Sequence, residues 1–337
     1  MRKKVFISHY IPDQGLEMIR QHFEVDYYNG TALSKSDFIA RAKDADALVI
    51  FMTDFIDAEI IENCPKLKVV SSFGKGYDNI DVVACTKRGI LVTNNPDNLT
   101  ASTADMAITL LLALCRNVIC ADAHIRAGEF NGWHPSNFLG TDFHGKTLGL
   151  VGFGAIGQAI AKRARGFDVN MYYYDAQRKT EAEELLGVQY APLAQLLAKS
   201  NFVVVALNLY PETRYFLGSK EIASLQPGSY LINIGRGSTV DENAVAEALI
   251  SGHLLGYAAD VFEFEDQMIG QRPDYINEKL LRCVGKTVFT PHIGTGTFDA
   301  RQRLSVSTAN QLICALKGEK PTGAINYAEL GGNGNEG

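Results

Sequence analysis

The stretch LGLVGFGAIGQAIAKRAR, residues 148–165, places a short apolar strand directly before a glycine-rich turn and a helix. In this pattern one glycine makes the tight turn, one lets the backbone approach a ligand, and one lets helix and strand pack closely. The helix also presents the positive end of its dipole to any phosphate held at the turn. The stretch therefore predicts a parallel α/β fold with a pyrophosphate-binding loop formed by Gly152, Gly154, Ala155, Ile156 and Gly157.

The strand that follows, predicted over 169–174, ends directly before Asp175. A carboxylate at this position can accept hydrogen bonds from the ribose hydroxyls of an adenosine and would repel a 2'-phosphate. The sequence therefore predicts NAD rather than NADP as the cofactor. Arg178, three residues further along, is the opposing signal, because its guanidinium could bind a 2'-phosphate.

Strand and helix patterns alternate on both sides of the glycine-rich turn. The predicted strands are 3–8, 24–28, 47–52, 68–72, 90–93, 147–151, 169–174, 202–207, 230–234, 256–259 and 287–290, and the predicted helices are 12–23, 35–42, 56–64, 100–115, 156–165, 242–250 and 300–316. Such alternation is typical of parallel sheets covered by helices on both faces. The pattern predicts two α/β units in one chain.

Composition narrows the classes of partner. The chain has 337 residues, 46% hydrophobic and 21% charged, which is typical of globular domains and excludes a fibrous or disordered protein. With 32 basic against 38 acidic residues, it offers nothing that favours a nucleic-acid or membrane partner, and a small molecule is the expected ligand. The six cysteines lack metal-ligand spacing, so we expect no metal, and without a signal-peptide pattern we expect a cytoplasmic protein.

Three polar residues follow predicted strands of the second unit, at the sheet edge where α/β proteins bind ligands. They are Arg236 in NIGRG (233–237), Glu265 in DVFEFE (260–265) and His292 in TPHIG (290–294). An arginine can bind an anion through paired hydrogen bonds, and a histidine held by a carboxylate is a general acid or base near neutral pH. Taken singly, the arginine could cap a helix, the glutamate could be a surface acid and the histidine could be a core residue. Together they predict a catalytic site.

These motifs, with SFGKGYDNID (72–81) in the first unit, resemble the NAD-dependent D-2-hydroxyacid dehydrogenases along nearly the whole chain. The resemblance implies that Arg236 binds the substrate anion, that His292 exchanges the proton and that Glu265 orients His292. It also places Asp260 among the cofactor-binding residues.

The same resemblance implies a domain arrangement. A Rossmann nucleotide-binding domain, residues 100–295, would be inserted into a flavodoxin-like substrate domain made of residues 1–99 and 296–330, with 331–337 as a disordered tail. Members of this family are usually homodimers, and the helical region 100–126 resembles their dimerisation arm. We therefore expect a homodimer.

Within the family, the phosphite dehydrogenase branch is resembled by Lys75 in FGKGYDN (73–79), by GEFNGWHP (128–135), by residues 263–273 and by GEKPTGAIN (318–326). This branch oxidises phosphite to phosphate, and a second cation beside an arginine suits a dianion. The resemblance implies a substrate site lined by Lys75, Gly76, Met52 and Arg301, with Trp133 contributed by the partner subunit.

The expected function is thus NAD-dependent oxidation of phosphite. Two alternatives remain open. The first is a D-2-hydroxyacid dehydrogenase of the glyoxylate or hydroxypyruvate reductase type, in which His292 would exchange a proton with the oxygen of a 2-hydroxy or 2-oxo acid. The second is an NAD(H)-sensing binding protein, which could retain the same three residues without turnover.

Overall fold

The computed structural model describes residues 2–267 and 269–331, so most of the predicted tail, residues 332–337, lies outside the described residues. The chain divides into two compact units. Unit 1 comprises Met1–Leu99 and Thr295–Gly337, and unit 2 comprises Thr100–Gly294.

Unit 1 is a parallel sheet covered by helices. Its strands are β1 (Lys4–Ile7), β2 (Glu24–Tyr27), β3 (Ala47–Ile50), β4 (Val69–Ser72) and β5 (Leu91–Thr93). Its helices are α1 (Asp13–His22), α2 (Lys35–Ala42), α3 (Ala58–Asn63), α4 (Val82–Lys87) and, from the end of the chain, α13 (Phe298–Lys317). The strand order β2-β1-β3-β4-β5 is that of a flavodoxin-like sheet.

Helix α13 completes unit 1 by packing against α1. A Cβ on Gly15 of α1 would lie 2.3 Å from the carbonyl oxygen of Ser305 in α13, so only glycine allows this approach. The Thr297 side chain caps α13 by accepting a hydrogen bond from the Ala300 N–H. Leu304 and Leu312 of α13 are fully buried in the core. The end of the chain therefore contributes to the same hydrophobic core as its beginning.

Unit 2 is a larger parallel sheet. Its strands are β6 (Thr147–Val151), β7 (Asn170–Tyr174), β8 (Gln189–Tyr190), β9 (Phe202–Val205), β10 (Ser229–Asn233), β11 (Leu254–Ala259) and β12 (Thr287–Phe289). Its helices are α5 (Thr100–Cys115), α6 (Val118–Arg126), α7 (Ala155–Ala164), α8 (Thr180–Leu186), α9 (Leu193–Lys199), α10 (Ser219–Ala223), α11 (Glu242–Ser251) and α12 (Glu278–Arg282). The order β12-β11-β10-β9-β6-β7-β8 is a Rossmann sheet with one additional strand.

The prediction of two parallel α/β sheets, one of them a Rossmann sheet, is confirmed. The predicted strand 47–52 was too long, because β3 ends at Ile50 and Met52 lies on the following turn. The sequence patterns also missed the short helices α4, α8, α9, α10 and α12. Helices of five to seven residues contain fewer than two turns, which is too little periodicity to recognise.

Among the described residues, no single helix has the length and apolar content of a membrane span. Only α5 and α6 taken together reach that length and composition, and they are bent by 63° relative to each other. Ala104, Ala107 and Leu111 of α5 are fully buried in the core of unit 2, which accounts for the apolar composition of this helix.

Candidate active site

The glycine-rich turn between β6 and α7 has the backbone geometry that the sequence predicts. Gly152 has a φ of 93°, and a Cβ there would lie 2.7 Å from the carbonyl oxygen of Ala206. A Cβ on Gly157 would lie 2.3 Å from the Gly152 carbonyl oxygen, so this glycine lets α7 pack against the turn. Both positions therefore require glycine.

Gly154 differs, because a Cβ there would meet no atom of the described residues within 4 Å. Gly154 is the N-cap of α7, and within residues 2–267 and 269–331 no side chain caps this end of the helix. The first-turn N–H groups of α7 are thus left without a cap from this part of the chain, at a position where the backbone is open to approach. This is the arrangement that binds the pyrophosphate of a dinucleotide, and it fits NAD.

The carboxylate of Asp175 is tied to the same turn. Its Oδ2 accepts a hydrogen bond from the Phe153 N–H at 2.7 Å, and its Oδ1 accepts one from the Gln177 N–H at 3.3 Å. Asp175 is partly exposed. A fixed, accessible carboxylate beside the glycine turn is the group that would accept hydrogen bonds from the adenosine ribose.

Arg178 forms a paired contact with helix α8. Its Nε donates to Oε1 of Glu183 at 2.8 Å and its Nη2 donates to Oε2 at 2.9 Å. Tyr173 donates its hydroxyl to the same carboxylate at 2.7 Å. The Glu183 carboxylate therefore holds the guanidinium that could otherwise bind the 2'-phosphate of NADP.

The predicted catalytic pair meets within unit 2. Nδ1 of His292 lies 2.8 Å from Oε2 of Glu265, and both side chains are partly exposed. The second oxygen of Glu265 accepts a hydrogen bond from the Phe262 N–H at 2.7 Å. Because the carboxylate binds Nδ1, Nε2 is the nitrogen available for proton exchange with a substrate.

The loop that carries His292 is held by Asp260. His292 has a φ of 53°, an uncommon value for a residue with a side chain. Oδ1 of Asp260 accepts from the Thr290 hydroxyl at 2.6 Å and from the Ile293 N–H at 2.8 Å, and Oδ2 accepts from the Gly294 N–H at 2.7 Å. These contacts fix the loop, whereas the cofactor contact expected of Asp260 stays a prediction.

Arg236 lies on the loop after β10, and Asn233 shapes this loop. The Asn233 side chain is fully buried, donates to the Arg236 carbonyl oxygen at 3.0 Å and accepts from the Gly235 N–H at 3.1 Å. Gly237 allows no side chain, since a Cβ would lie 1.9 Å from the backbone of Phe262. Sequence reasoning quoted Asn233 within its motif but gave it no role, and its position before two glycines was the available signal.

Three acidic side chains near this loop are buried, those of Glu242, Glu263 and Asp266. The side chain of Glu242, at the start of α11, accepts a hydrogen bond from the Glu263 N–H at 2.8 Å, and Asp266 accepts one from the Ser238 N–H at 2.7 Å. Burial raises the pKa of the Glu242 carboxyl, and the charges of Glu263 and Asp266 raise it further. Sequence reasoning missed this cluster.

Four of the predicted substrate residues lie in unit 1. Lys75 and Gly76 follow β4, and their carbonyl oxygens accept hydrogen bonds from Asn94 Nδ2 at 2.7 Å and Ser72 Oγ at 2.8 Å. Burial lowers the pKa of the Lys75 ammonium, against the opposing charge of Asp97.

The turn that carries Met52 is closed by the buried Asp54, whose Oδ2 accepts from the Phe51 N–H at 2.8 Å. Arg301 lies on α13, where burial lowers its guanidinium pKa. Trp133, in unit 2, is 83% exposed. The substrate roles of these residues stay predictions.

Comparison with known proteins agrees with this geometry. Residues 108–294 match the family described as "D-isomer specific 2-hydroxyacid dehydrogenase, NAD binding domain". The glyoxylate reductase of Pyrococcus furiosus is 43% identical over 331 residues, covering 97% of this chain and 96% of that protein. The chain belongs to the D-2-hydroxyacid dehydrogenase family.

Two solved structures are similar to this chain over nearly its whole length. A glyoxylate reductase from Paecilomyes thermophila is 28% identical with a TM-score of 0.85, covering 97% of this chain and 99% of that one. The NADPH-dependent glyoxylate/hydroxypyruvate reductase of Sinorhizobium meliloti, in complex with NADP and malonate, is 29% identical with a TM-score of 0.82, covering 98% of both chains. The chain described here contains the family's NAD-binding domain and is an NAD(P)-dependent oxidoreductase, as predicted.

Proposed function

We propose that the protein is a glyoxylate reductase type of D-2-hydroxyacid dehydrogenase, which reduces glyoxylate and related small 2-oxo acids with NADH. The observation that carries this proposal is the His292–Glu265 pair at 2.8 Å, in the same unit as the glycine turn and Arg236. The relative from Pyrococcus furiosus, 43% identical over nearly the whole chain, is named for this activity.

The residues of unit 2 supply the remaining chemistry. Arg236 binds the carboxylate of the 2-oxo acid through paired hydrogen bonds. The reduced dinucleotide, when bound, supplies a hydride to the carbonyl carbon. The imidazolium of His292 gives its Nε2 proton to the carbonyl oxygen, so that the C=O group becomes CH–OH. Glu265 holds the ring through Nδ1 and so leaves Nε2 as the nitrogen that transfers the proton.

Phosphite oxidation is the second candidate, and Lys75 is the observation that favours it. The family resemblance implies that Lys75 lines the substrate site, where a partly buried ammonium would balance the second charge of a phosphite dianion. A monocarboxylate offers one charge only. The relatives described above are named for glyoxylate reduction, however, and they support the 2-oxo acid over phosphite.

The deciding experiment follows NADH absorbance in both directions with the purified protein. Glyoxylate and hydroxypyruvate should consume NADH, with a kcat/KM about 100-fold above that of Arg236→Ala, the cost of losing a paired charge-assisted contact. Phosphite with NAD should form no NADH above the signal of the same mixture without enzyme. Turnover of phosphite without turnover of any 2-oxo acid would reverse the assignment. NADH binding without turnover of either substrate would favour the NAD(H)-sensing alternative.

A further inference from the structure

We propose that Glu183 is a cofactor-specificity residue, which keeps the protein selective for NAD by holding the Arg178 guanidinium away from a 2'-phosphate. The inference concerns dinucleotide binding alone. It therefore stands or falls independently of whether glyoxylate or phosphite is the substrate.

Arg178 lies three residues after Asp175, on the loop that joins β7 to α8, and its side chain is 60% exposed. Asp175 is tied to the glycine turn by the Phe153 N–H at 2.7 Å, so this loop starts at the dinucleotide site. An arginine on such a loop is the residue expected to bind a 2'-phosphate, because its fork of N–H donors matches phosphate oxygens.

Glu183 engages two of the five N–H donors of the Arg178 guanidinium and holds the group by them. Both carboxylate oxygens are engaged by Arg178, at 2.8 and 2.9 Å, in a paired contact that fixes the plane of the guanidinium. The guanidinium also lies 5.8 Å from the centre of the Tyr190 ring. Arg178 is therefore held on the α8 side of the loop by two kinds of contact.

Glu183 is itself held in place, unlike the partner of an isolated surface ion pair. The fully buried Tyr173 donates its hydroxyl to Oε1 of Glu183 at 2.7 Å and accepts a hydrogen bond from the Lys179 N–H at 2.7 Å. The Tyr173 ring stacks on Phe153 of the glycine turn with 4.0 Å between ring centres. One hydroxyl thus links the strand, the loop and Glu183.

These contacts oppose a 2'-phosphate in two ways. The Asp175 carboxylate repels the phosphate directly, and Glu183 engages the guanidinium of Arg178, the one of the two loop cations, Arg178 and Lys179, whose fork of donors matches a phosphate. Removing Glu183 releases Arg178 and leaves Asp175 in place. The relative from Sinorhizobium meliloti is NADPH-dependent, so a protein of this fold can accept a 2'-phosphate.

The test measures dissociation constants of NADPH and NADH by isothermal titration calorimetry on the wild type, Glu183→Ala, Arg178→Ala and the double variant. Glu183→Ala should bind NADPH about five- to tenfold more tightly, the effect of one added charge-assisted contact, with NADH changed less than twofold. In the double variant the gain should disappear. Arg178→Ala alone should leave both constants within twofold of wild type.

Glu184→Ala is the matched control, because it removes an exposed carboxylate from the same helix. It should not reproduce the gain. An equal gain in Glu183→Ala and in the double variant would overturn the proposal, since lost repulsion rather than Arg178 would then be the cause. Unchanged NADPH binding in Glu183→Ala would also overturn it. Should Glu183→Ala fail to fold, Glu183→Gln removes the charge and retains an acceptor for Tyr173, and the same comparison applies.

Discussion

Glu265 holds His292 by a hydrogen bond between its Oε2 and the imidazole Nδ1 at 2.8 Å, while its Oε1 is anchored to the Phe262 N–H at 2.7 Å. The carboxylate is thus fixed on both oxygens, and it fixes the ring in turn. The Glu265 carboxylate is therefore held in one orientation next to His292, the residue proposed to donate the proton.

Glu265→Ala should lower kcat for glyoxylate by about 10- to 100-fold, because the His292 ring loses the hydrogen bond that holds it through Nδ1. Glu265→Gln is the matched control, because its amide oxygen can still accept a hydrogen bond from Nδ1–H, and it should retain more of kcat. The measurement is kcat and KM for glyoxylate at saturating NADH. A wild-type kcat in Glu265→Ala would contradict a role of Glu265 in positioning His292.

His292→Ala should lower kcat for glyoxylate by about 10² to 10⁴, the usual contribution of a positioned acid or base. Its NADH affinity should stay near wild type. His292→Asn is the matched control, because asparagine tolerates the positive φ of 53° and keeps the loop folded. Both variants should lose kcat equally. A loss in melting temperature with kcat retained would instead make His292 a structural residue.

Asn233→Ala should raise KM for glyoxylate by about tenfold and lower the free energy of unfolding by about 1–3 kcal/mol, because two backbone groups of the Arg236 loop lose their partner. Asn233→Asp keeps the acceptor for Gly235 and loses the donor to the Arg236 carbonyl. We expect KM of this variant to rise as well. A stability loss in either variant with KM unchanged would contradict a role in positioning Arg236.

Asp175→Ala should reduce the preference for NAD over NADP by about one to two decades in kcat/KM, since it removes a charge-assisted contact of about 1.5–3 kcal/mol and the repulsion of a 2'-phosphate. Asp175→Asn removes the negative charge but keeps an amide oxygen that can still accept a hydrogen bond from the Phe153 N–H. It therefore separates the loss of the charge from the loss of the side chain. Equal use of NAD and NADP by the wild type would show that Arg178 dominates instead.

Glu242 makes stability depend on pH. Burial and two neighbouring carboxylates raise its pKa above the ordinary value of 4.5, so the folded protein binds a proton that the unfolded chain releases. This contribution is complete below about pH 4.5 and is lost as pH rises through the raised pKa.

Glu242→Gln should therefore gain stability relative to wild type as pH rises from 4.5 towards 8, measured by urea denaturation at each pH. The exposed Glu184→Gln on α8 is the control and should follow the wild type. A difference between Glu242→Gln and wild type that does not change with pH would contradict the shifted carboxyl.

Sequence patterns were sufficient to predict a feature wherever the residues that form it lie close together in the chain. The glycine turn, Asp175 after β7 and the alternation of strands and helices all lie within short stretches, and the fold they predict is observed. Contacts between distant segments could not be obtained in this way. The Asp260 side chain accepts hydrogen bonds from the loop 290–294, and the Glu242 side chain accepts one from the backbone N–H of residue 263. These segments are distant in the chain and are brought together because the strands that precede them are neighbours in the sheet.

The sequence by itself determined the two parallel sheets, the dinucleotide turn and the residue types of the catalytic set, because glycine conformations, strand alternation and side-chain chemistry are local properties. Only the tertiary structure decided which atoms each side chain contacts. It joined Nδ1 of His292 to Oε2 of Glu265, a pairing that the family resemblance implied without its geometry, and it placed the Asp260 carboxylate against the loop 290–294. It also directed Arg178 to Glu183, since a flexible, charged side chain bonds to whichever partner folding brings within reach.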